Sequence, residues 1–135
     1  MGYSLQMQVI PAAWPTALSD YSGDAPGVLS LAIRQVTMVL LPALELAGNV
    51  AAETDPETVL PIEKLESMDG EVVSAGECSA MAEALAQVLA SESERAFLWD
   101  VLDLARGEEP PVLELLDHFC AFLRIASEHG GFRVT

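Results

Sequence analysis

Tyr3, Leu5, Met7 and Val9 are apolar, and Ser4, Gln6 and Gln8 between them are polar. That period of two is the pattern of a half-buried strand, which ends before Pro11. Residues 11–27 hold Pro11, Pro15, Gly23, Pro26 and Gly27, and they read as a loop with a short helical turn around Trp14 to Leu18. From Val28 to Ala47 the chain is apolar on nearly every side of a helical wheel, the mark of a helix enclosed by neighbours. Pro42 lacks the amide that would bond the Met38 carbonyl, so a kink or a break is expected there. Gly48-Asn49 supplies a left-handed stop.

Further on, Asp55-Pro56 reads as an N-cap followed by proline at the first helical position, opening a short helix that Pro61 limits or interrupts. Asp69-Gly70 is a turn signal, and Val72-Val73 a short strand candidate. Ser74 with Glu77, and Ser91 with Glu94, both fit the S-x-x-E capping box. The first opens a helix to about Ala90, the second a helix that ends at Gly107. Pro110-Pro111 begins a last helix in which Val112, Leu115, Leu116, Phe119, Phe122, Leu123 and Ala126 recur at helical spacing until Gly130-Gly131. Phe132 and Val134 flank Arg133 in a terminal strand candidate, which could pair with the first strand. These elements predict an α+β domain, mostly α. Helices pack around the central apolar helix, and the N- and C-terminal strands form a small sheet.

Composition narrows the class. In 135 residues, 51% are hydrophobic, yet 21 acids face 6 bases for a net charge of -15. A disordered acidic segment has few apolar residues, so a single folded domain over residues 1–135 is expected. Six bases scattered from Arg34 to Arg133 offer no patch for nucleic acid, and an anionic membrane surface is disfavoured for the same reason. Arg34 near the middle of the apolar run opposes a membrane span. The first ten residues carry no Lys or Arg and show no signal-peptide pattern, so a soluble protein of a reducing cytoplasm is expected. Cys78 and Cys120 then read as buried apolar residues.

The charge is unevenly placed. Residues 45–109 hold sixteen acids against Lys64, Arg95 and Arg106, a net of -13, while residues 1–44 and 110–135 each sum to -1. The densest part contains Glu53, Asp55, Glu57, Glu63, Glu66, Asp69 and Glu71, and Glu108 and Glu109 mark a later helix boundary. Such a surface either keeps an apolar-rich chain soluble or attracts a basic partner. On the second reading these nine acids are the candidate partner-binding residues. The apolar excess also allows a homodimer or assembly subunit joined through helix faces.

Common catalytic parts are missing from the pattern. His118 and Cys120, two apart on a helix, point away from each other. No C-x-x-C, H-x-x-x-H, calcium loop or phosphate loop occurs, so no metal, no cofactor and no enzymatic activity is expected. Trp14, Trp99, Phe97, Phe119 and Phe122 are expected in the core. His129 is placed to serve a helix C-terminus.

Gly2-Tyr3-Ser4-Leu5 at the start, and Phe122-Leu123-Arg124 through Gly130-Gly131-Phe132 at the end, frame an acidic helical middle. In that order the chain resembles small acidic bacterial immunity proteins of toxin–immunity systems. The resemblance covers about a fifth of the chain and carries no diagnostic motif. It implies a cytoplasmic inhibitor whose partner is a basic toxin domain, and it assigns no residue.

Overall fold

The computed structural model describes residues 2–9, 11, 14, 15, 18, 27–67, 70–104 and 107–134. In chain order these form β1 (Gly2–Met7), β2 (Val28–Ala32), α1 (Ile33–Thr54), α2 (Ile62–Ser67), β3 (Val72–Val73), α3 (Ala75–Ala90), α4 (Glu92–Leu102), α5 (Glu109–Ser127) and β4 (Phe132–Val134). The protein is α+β and mostly α. Its four strands form one antiparallel sheet in the order β2-β1-β4-β3.

The terminal strands pair as their alternation suggested, with Leu5 opposite Val134 and Met7 opposite Phe132. Period two then places Leu5, Met7, Leu29, Leu31, Val73, Phe132 and Val134 in the core, while Gln6, Ser30 and Arg133 are exposed. Gly131, at φ +88°, enters β4 so close to β3 that a Cβ there would collide with the Val73 carbonyl oxygen. Only glycine combines that backbone with that approach.

The apolar run Val28–Ala47 is not one helix. Its first five residues are β2, in which Leu29 and Leu31 are buried and Ser30 and Ala32 are exposed. A short apolar run suits a strand or a buried helix equally well, and pairing with β1 selects the strand. Helix α1 begins at Ile33 and continues beyond Gly48-Asn49. Gly48 is half-buried inside the helix, and a Cβ there would stand at ordinary contact distance, 3.5 Å, from Leu60.

The predicted disturbance at Pro42 takes the form of a π-helical turn over Val36–Leu40. There the Leu41 N–H donates to the Val36 carbonyl, one residue farther back than an α ladder reaches. Pro42 then sits in the first turn of the α-helical segment Leu41–Thr54, where a missing N–H is tolerated.

Asp55-Pro56 closes α1 and does not open a helix. Asp55 is extended (φ -132°, ψ 94°), as the residue before a proline prefers, and its carboxylate accepts from the Glu57 N–H. The short helix α2 starts after Pro61.

Helix α4 ends at Leu102, earlier than the glycine at 107 suggested. Asp103 adopts the left-handed conformation (φ 52°), its N–H donates to the Asp100 carbonyl, and the Leu104 N–H donates to the Trp99 carbonyl. This is a Schellman stop in which aspartate stands where glycine is usual. The helical turn expected around Trp14 to Leu18 lies partly outside the described residues. Within it, the Leu18 N–H donates to the Pro15 carbonyl.

The central helix is α3, which packs against α1, α4 and α5. It buries Cys78, Met81, Ala82, Ala84, Leu85, Val88 and Leu89. Helix α1 is long and apolar enough to cross a membrane by length and composition. Here Val36, Leu40, Ala43, Leu44 and Ala47 form a buried stripe in the shared core, and Met38 on the other side is 59% exposed. The aromatic residues divide: Phe119, Phe122 and Phe132 are buried, and Trp14 meets Phe122 edge-on at 6.4 Å. Phe97, expected in the core, is 54% exposed, because Leu98 takes the buried position on α4.

Candidate functional site

The acidic middle begins where α1 ends. Glu53 lies in the last turn of α1, and Asp55 and Glu57 occupy the turn after it; all three are exposed. Glu63 and Glu66 are exposed on α2, and Glu71 is exposed just before β3. Asp69 lies outside the described residues. These acids follow one another along a continuous segment that lies against α1, since α1 and α2 touch and Leu60 packs on Gly48.

One ion pair pins this segment to the core. The Lys64 Nζ donates to the Glu77 Oε1 at 2.8 Å and to the Val72 carbonyl at 3.1 Å. Glu77 also completes the capping box of α3: its carboxylate accepts the Ser74 N–H at 3.0 Å, while Ser74 Oγ accepts the Glu77 N–H at 3.2 Å. Partial burial pushes the Glu77 carboxyl up, and the hydrogen bonds from Lys64 and Ser74 outweigh it, so the group titrates below the usual glutamate range. The capping box proposed at Ser91 is only half formed. Ser91 Oγ accepts the Glu94 N–H at 3.4 Å, and no return bond from the Glu94 carboxylate accompanies it.

Glu108 and Glu109 stand apart from the acids of α2 and of the approach to β3, Glu63, Glu66 and Glu71. Helices α3 and α5 run antiparallel, with Arg124 beside Glu83 and Gln87, and Asp117 beside Ala90. Glu109, at the start of α5, therefore lies beyond the C-terminal end of α3, whereas Lys64 and Glu77 mark its N-terminal end. The sixteen residues of α3 span about 24 Å, more than twice the Debye length at physiological salt. Glu63, Glu66 and Glu71 are thus set apart from Glu109, and Asp55 lies between them, in a cleft with Glu83 and Gln87.

One surface cleft adjoins the acidic segment and another lies away from it. A cleft of about 690 Å³ lies among Ala51, Thr54, Asp55 and Thr58 on one side, Glu83 and Gln87 of α3, and Arg124 of α5. A second, of about 300 Å³, lies between Pro42, Glu45, Leu46 and Asn49 of α1 and Phe97 and Val101 of α4. Sequence reasoning missed the second cleft. Its signal was present: Phe97, Leu98, Trp99, Val101 and Leu102 are more apolar residues than the single buried stripe of α4 requires.

Both cysteines are buried. Desolvation, with Glu77 nearby, pushes the Cys78 thiol up to about 12. Burial, opposed by Arg124 and aided by Asp117, pushes Cys120 up to about 11. Neither is poised as a nucleophile, because the thiolate is the reactive form. His129 Nδ1 lies 2.7 Å from the Ile125 carbonyl and so serves the C-terminal turn of α5. Among the described residues, no three of His, Cys, Asp and Glu converge as a metal site would require.

No protein-family model, curated protein or solved structure matches this chain. The placement of charge and of apolar surface is therefore what bears on function.

Proposed function

We propose that this protein is a non-enzymatic, acidic binding protein of the immunity type, acting in the bacterial cytoplasm. It neutralises a cognate toxin by docking on that toxin's basic active-site region. The observation that carries this reading is the run of exposed carboxylates, Glu53, Asp55, Glu57, Glu63, Glu66 and Glu71, presented from the end of α1, from α2 and from the residue before β3. Carboxylates so placed can stand in for substrate phosphates and pair with Arg or Lys of the toxin. Lys64, bonded to Glu77 and Val72, holds α2 against the start of α3.

The test begins with the neighbouring gene, where a toxin domain is expected, and continues with co-expression of the two and measurement of the affinity of the purified pair. Growth is rescued, and the affinity falls steeply between about 0.05 and 0.5 M salt, where the Debye length shrinks severalfold. Replacing Glu57, Glu63 and Glu66 together by Gln weakens the complex at low salt. A tight complex indifferent to salt overturns the electrostatic mechanism.

A second reading, an adaptor or homodimer joined through helix faces, is favoured by one observation. Met38, Phe97 and Val101 are 59%, 54% and 48% exposed. Light scattering separates the two readings: a stable homodimer without any basic partner supports the second.

A further inference from the structure

We propose that the cleft between α1 and α4 is a docking groove for a basic amphipathic helix of a partner protein. One wall is a face of α1, where Pro42, Glu45, Leu46 and Asn49 recur at helical spacing and Met38 stands one turn earlier. The other wall is Phe97 and Val101, four residues apart and so on one face of α4. Met38, Phe97 and Val101 are each about half exposed or more, although Leu98 of the same helix is fully buried. Helix α4 thus has two apolar faces, and the core uses one of them.

The shape suits side chains rather than a large ligand. A cleft of about 300 Å³, open to solvent, accepts one or two bulky apolar side chains from an incoming helix, in the helix-in-groove mode with anchors at i and i+3 or i+4. Large apolar side chains left in solvent around such a cleft mark interaction surfaces more often than chance exposure does.

Charge selects the occupant. Glu45 lines the cleft, and Asp100, exposed, adjoins Val101 on α4. Glu53 lies two turns beyond Glu45 on α1. Arg95 is held elsewhere, its guanidinium donating to the Leu89 carbonyl at 2.8 Å, and the exposed Arg34 stands at the start of α1, eleven residues before Glu45. Apolar anchors flanked by Lys or Arg therefore complement the groove. A second copy of the chain would bring another -15 charges to an acidic rim, and an anionic lipid surface would be repelled in the same way. This surface is distinct from the Glu53–Glu71 segment and stands independently of the toxin-docking reading.

The probe is a synthetic 18-residue peptide of leucine and lysine, with Leu at i, i+3, i+4 and i+7. Its control has the same composition in scrambled order. Affinity is read by fluorescence anisotropy at about 0.15 M salt, and the site by amide chemical-shift mapping on the full chain. The amphipathic peptide binds one to one and shifts Met38, Leu46, Phe97 and Val101. Phe97→Ala, at an exposed position, leaves the circular dichroism unchanged and weakens binding tenfold or more, as loss of an aromatic anchor does. Glu45→Gln with Asp100→Asn weakens it severalfold and flattens its salt dependence.

Equal binding by the scrambled peptide, shifts confined to Glu53–Glu71, or no binding at all overturns the proposal. So does self-association of the chain that Phe97→Ala abolishes, which would make the occupant a second copy. Substituting Glu57, Glu63 and Glu66 leaves peptide binding intact, so failure of the groove and failure of the toxin-docking reading give different results.

Discussion

Helices α1 and α3 are both rich in apolar residues, yet the protein uses them differently. Helix α3 lies between α1, α4 and α5 and buries seven side chains from Cys78 to Leu89. Helix α1 contributes one buried stripe and leaves Ile33 and Met38 in solvent. Apolar content alone does not say which helix is central. The extent to which neighbouring elements cover it does.

The contrast can be broken most directly by truncation. Leu85→Ala removes a fully buried side chain from α3 and lowers unfolding free energy by about 2–5 kcal/mol in a denaturant titration. Met38→Ala on the exposed side of α1 changes it by no more than about 0.5 kcal/mol. Equal effects would show that α1 is enclosed as fully as α3. Gly131→Ala disturbs the junction that holds β4 against β3. The positive φ alone costs about 1–3 kcal/mol, and the collision with the Val73 carbonyl adds to it, read as a lowered thermal midpoint.

Smaller effects sharpen the comparison at helix starts. Ser74→Ala removes the Oγ that accepts the Glu77 N–H at 3.2 Å, while the backbone N–H of residue 74 keeps its bond to the Glu77 carboxylate, and costs about 1 kcal/mol. Ser91→Ala removes a cap at 3.4 Å with no return bond from Glu94, and costs less, near 0.5 kcal/mol, the low end for such caps.

The same Glu77 makes stability depend on pH. Its carboxyl titrates lower in the folded protein than in the unfolded chain. The stabilisation it supplies is therefore complete above the unfolded value, about 4.3, and is lost as pH falls through the lower folded value. In thermal melts from pH 7 to pH 3, Glu77→Gln removes that part of the acid-side decline. An unchanged decline would show that the Lys64–Glu77 pair does not anchor the acidic segment.

Local chemistry was the legible part of the fold. The full box at Ser74 and Glu77, the prolines in the first turn of α5 and the pairing of the terminal strands follow from residues close in sequence or from simple alternation. The errors fall where a distant partner decides. Residues Val28–Ala32 became a strand because β1 offered an edge. Gly48 stayed helical with Leu60 packed against it, and Asp103 took the stop expected of Gly107. Asp55-Pro56 carries the signals of a helix start, and only the helix already running into it makes it an end. For the site, the density of acids from Glu53 to Glu71 was visible in composition. The separation of Glu63, Glu66 and Glu71 from Glu109 was not, because it depends on α3 and α5 running antiparallel.

By itself the sequence determined a mostly helical α+β domain with its charge concentrated in the middle. Periodicity, caps and net charge are properties of neighbouring residues and of sums. Only the tertiary structure decided that α3 is the centre, that Phe97 faces solvent, and that α1 and α4 leave an acid-rimmed apolar cleft between them. Which face of an amphipathic helix is covered depends on the elements packed against it, and helix packing is a matter of shape and volume among residues far apart in the chain.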